Sequence, residues 1–336
     1  MALFSISNTR IAGISAALPK QTVSNRDLKG LSAQEIDLLI TTTGIENRRL
    51  ADDSTCASDL CLAAGEMLLN ELNWNKAEID VLIFVTQTPD FQVPGNSMLL
   101  QQKLGLSTSC IAFDINQGCA GYVYGLSVIS SMMSSSGMKK GLLLVGDTIT
   151  KIIDKEDNST TPIFSDAGSA TAIEFSNEVN PMHFNLQTDG TKHDAITVAK
   201  GGARTPSKED AYMTMHGHDI FAFGLKEVAP NIHALLDFCK TDKDRIDYFV
   251  FHQANLLLNE SIRKKVGVDP EKVPTTLAKF GNTSCATIPI TMVSELAKHI
   301  KTEETQLVLS GFGVGLSWGS AIVNLDGIVC PELIEM

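Results

Sequence analysis

The 336-residue chain has no run of more than about five consecutive apolar residues, so no part of it reads as a bilayer-spanning helix. Positive charge is in deficit: 27 Lys and Arg stand against 39 Asp and Glu, a formal net charge of −12. A uniformly acidic surface repels nucleic acid and anionic membrane, which argues against either as a primary partner. It also repels other acidic proteins unless a local basic patch intervenes. The seven cysteines, at 56, 61, 110, 119, 239, 285 and 330, lack zinc-type spacing, and their number is odd. Free thiols in a reducing, cytoplasmic setting are expected. The opening MALFSISNTR lacks both a long apolar core and a small-residue cleavage site, so no signal peptide is expected.

What is present is a globular composition, 43% hydrophobic and 20% charged, long enough for two domains or two fused halves. Short β-branched runs at 79–85, 110–115, 141–147, 246–251 and 305–312 read as buried strands. Residues 121–136 and 219–240 read as helices, with Pro230 expected to bend or break the second. This alternation implies an α/β fold.

The chain also repeats itself. AEIDVLIFVTQ from Ala77 matches DRIDYFVFHQ from Asp244, 167 residues on. Asn116-Gln-Gly-Cys119-Ala matches Asn282-Thr-Ser-Cys285-Ala at an offset of 166, and Leu142 matches Leu307 at 165. One nearly constant offset suggests duplicated α/β halves, 1–180 and 181–336. No low-complexity linker separates them, so they are expected to pack as one body.

Three residue types carry the chemistry. Cys119 follows a strand and a Gly-containing turn and stands at the start of a helix. Unpaired N–H groups and the helix dipole favour negative charge there, which predicts a lowered thiol pKa. The alternative is a small buried hydrophobe. His252, in Phe251-His-Gln-Ala-Asn255, ends an apolar strand, the place where α/β sheets form sites. A structural histidine is the competing reading. Asn282, in Gly281-Asn-Thr-Ser284, is either a turn residue or a neutral donor beside a catalytic histidine. His216 and His218 have no apparent third ligand, so no metal is expected. Finally, Ser310-Gly-Phe-Gly-Val-Gly-Leu-Ser-Trp-Gly319 lacks the Lys-Ser/Thr of a phosphate loop, but its backbone can aim an N–H at a reacting carbonyl.

INQGCAGYVYGL, FHQAN, GNTS and GFGVGLSWG, in that order, resemble the β-ketoacyl-acyl-carrier-protein synthase III group of the thiolase superfamily. TTTGIENRRL (41–50) and FVTQTPDFQVPG (84–95) resemble its N-terminal signatures. The resemblance implies a homodimer of duplicated halves in five αβαβα layers and no cofactor, the substrates being carrier-protein or coenzyme A thioesters. It implies that Cys119 attacks an acyl thioester. It also implies that the acyl-enzyme then condenses with the enolate from decarboxylating malonyl-carrier protein. Backbone N–H groups of Cys119 and Val314 form the expected oxyanion hole, and His252 Nε2 and the Asn282 amide the expected enolate donors. Val93, Phe312, Gly313 and Gly217 are the expected substrate-contacting residues. Arg263, Lys264 and Lys265 fall where the family docks its acidic carrier.

Some positions depart from the family pattern. Leu38 and Thr42 stand where a Trp and an Arg commonly hold the adenine end of coenzyme A, and Asn158 stands where a second Arg is common. The expected acyl donor is therefore an acyl-carrier protein, or a coenzyme A ester held differently. Val93 replaces the Phe of acetyl-specific members, which predicts acyl groups longer than acetyl. Acyl transfer to a hydroxyl or amine, and a non-catalytic partner subunit, are the alternative readings.

Overall fold

The computed structural model describes residues 2–177 and 179–336. In chain order its principal strands are β1 (Ala2–Ile6), β2 (Thr9–Leu18), β3 (Val81–Val85), β4 (Ile111–Ile115), β5 (Lys140–Asp147) and β6 (Ala167–Phe175). They continue as β7 (Met182–Thr188), β8 (Tyr248–Phe251), β9 (Thr305–Gly313), β10 (Ser317–Leu325) and β11 (Ile334–Glu335). Two sheets result. One has the order β11-β2-β6-β5-β3-β4 and the other β1-β7-β10-β9-β8.

The repeat read from sequence has a topological counterpart. The set β2-β6-β5-β3 and the set β7-β10-β9-β8 share one strand order and one pattern of directions. The β3–β5 and β8–β9 pairs are parallel, and the remaining neighbours within each set are antiparallel. The two halves also exchange edges. The first strand of the chain pairs with β7 of the second sheet, and the last pairs with β2 of the first.

The principal helices are α1 (Ala33–Thr43), α2 (Ala57–Glu71), α3 (Asn96–Leu104), α4 (Gly121–Ser136), α5 (Gly217–Cys239), α6 (Leu256–Val266) and α7 (Thr287–Glu295). Helices α4 and α7 are the apolar ones with little amphipathic contrast, because they lie between the sheets. Their Val123, Leu126, Ile129, Ile288 and Ile290 share one core with β2, β3, β5 and β9. α2 and α3 cover the outer face of the first sheet through Leu60, Leu68 and Leu100. α5 and α6 cover the second through Ile232, Leu235 and Ile262. The layers therefore run αβαβα.

The bend or break expected at Pro230 does not interrupt α5, which is one helix across it. Pro230 lies on the exposed face, where the carbonyl it displaces can turn to water. Among the described residues, no helix is long and apolar enough to cross a membrane.

Candidate active site

Cys119 lies between β4 and α4, just ahead of the helix whose N-cap is Ala120. It is nearly enclosed, at 8% exposure. The turn is tight: the Gly121 N–H donates to the Gly118 carbonyl at 2.5 Å. Three glycines make room for it. A Cβ on Gly311 would come 2.8 Å from Ala120 Cα, and one on Gly313 would come 2.7 Å from the Cys119 sulfur. A Cβ on Gly118 would meet Gln87 Oε1 at 2.2 Å and Val314 Cγ1 at 2.3 Å. Strand β9 therefore runs directly against the nucleophile turn because its glycines carry no side chain.

The lowered thiol pKa expected from the helix position is corrected by burial. Desolvation pushes the Cys119 thiol up to about 11, with the Val314 N–H and the residue's own N–H pulling the other way. The nearby Asp147 carboxyl adds to the upward push. Helix placement is real, but the enclosed sulfur loses more solvation than those donors return. The N–H groups of Cys119 and Val314, the two expected oxyanion donors, are the backbone groups that oppose that upward shift.

His252 follows β8 and is buried. Its N–H donates to the Ser310 carbonyl at 2.8 Å, and Asn259 Nδ2 donates to its carbonyl at 3.0 Å. The ring is fixed on two sides. Nδ1 and the Thr287 hydroxyl share a hydrogen bond of 2.8 Å, and the Phe312 ring stands edge-on with centroids 5.4 Å apart. Burial drives the imidazole pKa down to about 3, opposed by a weaker pull from the Ser284 backbone. The imidazole is therefore neutral at physiological pH.

Asn282 is buried beside it. Its N–H donates to the Ile163 carbonyl at 3.0 Å, and its carbonyl accepts from Ser165 N–H at 2.9 Å. The Ser284 N–H donates to Oδ1 at 2.9 Å, which settles the amide orientation. Nδ2 is left with one long contact, 3.5 Å to the Ala254 carbonyl, so its donor capacity is largely unspent. Phe312 and Gly313, consecutive on β9, touch His252 and Cys119 respectively and tie the two halves' residues into one site.

Beside the nucleophile turn is a cavity of about 270 Å³, walled by Ile149, Ile152, Ile196, Val198 and Met213 and closed at one end by Gln87 and Val314. Val93 does not line it and stands 84% exposed on the surface of this protomer. Gly217 opens α5 in the open, and a Cβ there would meet nothing within 4 Å. Leu38 is 68% exposed, and Thr42 and Asn158 are exposed too.

The basic run is not a uniform patch. Arg263 is engaged by Glu260 and donates to the Val268 carbonyl at 2.6 Å, tying the chain just past α6 back to the helix. Lys265 donates to the Leu225 carbonyl of α5 at 2.8 Å, and Lys264 is exposed. Thr287, absent from the sequence reading, is the side chain that holds the His252 imidazole. Its signal is the Ser284-x-x-Thr287 spacing, which puts its hydroxyl 3.2 Å from the Ser284 carbonyl as well as on the imidazole. Among the described residues, no group of three or more His, Cys, Asp or Glu is placed to hold a metal ion.

Comparison with known proteins decides the family. The profile described as 3-Oxoacyl-[acyl-carrier-protein (ACP)] synthase III matches residues 113–190, and that of its C-terminal part matches 236–325. A β-ketoacyl-[acyl-carrier-protein] synthase III of Streptococcus sanguinis is 33% identical across 94% of this chain and 99% of its own. The chain belongs to the β-ketoacyl-acyl-carrier-protein synthase III family. A putative 3-oxoacyl-[acyl-carrier-protein] synthase 3 of Campylobacter jejuni is 35% identical across 97% of this chain and 96% of its own. The crystal structure of a 3-oxoacyl-(acyl-carrier protein) synthase from Burkholderia xenovorans superposes with a TM-score of 0.96 at 39% identity, covering 99% of both chains. The fold is thiolase-like, and the chain is an enzyme of the synthase III type.

Proposed function

We propose that this enzyme loads an acyl group onto Cys119 and condenses it with malonyl-carrier protein, releasing carbon dioxide. The supporting observation is that Phe312 and Gly313 on β9 join buried His252 to the Cys119 turn, with Asn282 Nδ2 left largely free to donate. In acylation the Cys119 sulfur attacks the thioester carbon and the carbon–sulfur bond to the carrier breaks. The thiol proton ends on the departing carrier thiol. The N–H groups of Cys119 and Val314 stabilise the oxyanion, a contribution of about 3–4 kcal/mol per donor.

In condensation the malonyl thioester loses carbon dioxide and leaves an enolate. Asn282 Nδ2 is free to donate to that oxygen. The reading requires the His252 tautomer with its proton on Nε2 as the second donor, in which the Thr287 hydroxyl turns from the Ser284 carbonyl to donate to Nδ1. A neutral imidazole suits this role because an imidazolium would protonate the carbanion instead. Phe312 shields the malonyl side from water, and Gly313 and Gly217 border the substrate path.

The acyl donor is a carrier protein, since Leu38, Thr42 and Asn158 offer coenzyme A neither an aromatic face nor a cation. The acyl group is longer than acetyl, because the cavity beside Cys119 is not closed by a Phe at position 93. The enzyme works as a homodimer in which Val93 of the partner subunit reaches that cavity. Lys264 is the free cation that meets the acidic carrier.

Carbon dioxide release from malonyl-carrier protein tests the reading. Release by the wild-type enzyme, reduced about 100-fold in Asn282→Ala, is expected. Acyl transfer to a hydroxyl or amine with no carbon dioxide released would overturn it.

A further inference from the structure

The cavity beside Cys119 is not wholly apolar. Half-buried Gln87, packed against Gly118 one residue before Cys119, is in its lining, as is the exposed Asn116. Among the described residues, neither side-chain amide has a hydrogen-bond partner in the protein. Gln87 is held in place through its backbone: its N–H donates to Asp147 Oδ1 at 2.7 Å. The hydroxyls of Thr86 and Thr88 donate to the same oxygen at 2.9 and 3.1 Å. The amide of this residue, two positions past the end of β3, thus stands against Gly118 in the turn that carries Cys119.

A plain alkyl chain filling this cavity would strip water from that amide and give nothing back, which is penalised. A hydroxyl can use both ends of the amide, donating to its oxygen and accepting from its nitrogen. Sites built to bind a substrate hydroxyl discriminate strongly against the analogue lacking it, because their own polar groups are left unpaired. We infer that the acyl group carried by Cys119 bears an oxygen substituent near the thioester, a 3-hydroxyacyl group being the class that fits, with Gln87 as the residue that reads it. The inference rests on the acyl-enzyme reading above and adds the class of acyl group to it.

The test is parallel acylation of the full-length enzyme by 3-hydroxybutyryl- and butyryl-carrier protein, followed by intact-protein mass on Cys119. The hydroxylated group is expected to load at least about 10-fold faster. Gln87→Leu should erase or reverse that preference while still accepting butyryl, and Asn116→Leu should weaken it. Equal loading, or faster loading of butyryl by the wild-type enzyme, would overturn the inference and leave the acyl-enzyme reading standing. No adduct from either donor would overturn both. A preference that survives in both variants would also overturn it, since the discrimination would then lie elsewhere.

Discussion

At the residue scale, the site works by enclosure. The Cys119 sulfur is pinned by Gly313, and adding a single methyl there should displace it by a substantial part of an ångström. Misplacement of about 1 Å can cost about 100-fold in rate. Gly313→Ala is therefore expected to lose about that factor in acylation rate, measured by single-turnover mass spectrometry, and to lower the thermal midpoint as well, because Gly313 has φ +158°. The enclosed thiol is protonated at neutral pH, so alkylation of Cys119 by iodoacetamide should keep rising towards pH 10 or above. A plateau near pH 7 would contradict the pKa of about 11.

His252 has the opposite consequence. Its folded pKa of about 3 lies below the ordinary value of 6.5, so between those values the unfolded chain takes up a proton that the folded chain refuses. Stability is accordingly lost as pH falls below about 6.5. Urea unfolding at pH 7 and 5.5 should show the wild type losing about 1 kcal/mol more than His252→Asn over that interval.

At the scale of elements, α6 separates charge that docks from charge that holds. Arg263 ties the chain just past α6 back to the helix through Glu260 and the Val268 carbonyl, so Arg263→Glu should lower stability by about 1–3 kcal/mol. Lys264→Glu should leave the thermal midpoint unchanged and raise the apparent KM for the carrier. Sequence could not distinguish them, because three consecutive basic residues look alike until the helix turns one inward. The strands were legible for a simpler reason: VLIFV and LLLV are buried on both faces and read as continuous apolar runs. Pro230 misled because a proline on the wetted side of a long, well-packed helix is tolerated. The thiol pKa misled because burial by distant strands leaves no local trace around Cys119. Thr287 escaped notice because it lies outside the segments that carry the Cys, His and Asn motifs, and Gln87 reads in the sequence only as the residue that closes the repeated strand segment.

At the scale of the whole molecule, the duplicated sheets place a nucleophile from one half opposite donors from the other. That division explains why the offset of about 166 residues between Asn116-Gln-Gly-Cys and Asn282-Thr-Ser-Cys was readable while the roles of the two cysteines differ. Cys285 is packed against Asp147 at 3.2 Å, and burial with that carboxyl raises its pKa well above the ordinary thiol value. It takes no part in the proposed acylation. The open edge of the first sheet is β4, with Ile111 exposed at its start and Phe91, Val93 and Met98 exposed in the preceding segment. An uncovered strand edge beside exposed apolar side chains suits pairing with a second copy. Sedimentation should give a dimer, and Ile111→Lys should shift it towards monomer and lower activity.

The most direct measurement is the intact mass of the enzyme after incubation with acyl-carrier protein, followed by mapping of the modified residue. One acyl group per chain, on Cys119, and none in Cys119→Ala is the result predicted here. Acylation at Cys285 or another thiol, or full condensing activity in Cys119→Ala, would contradict it.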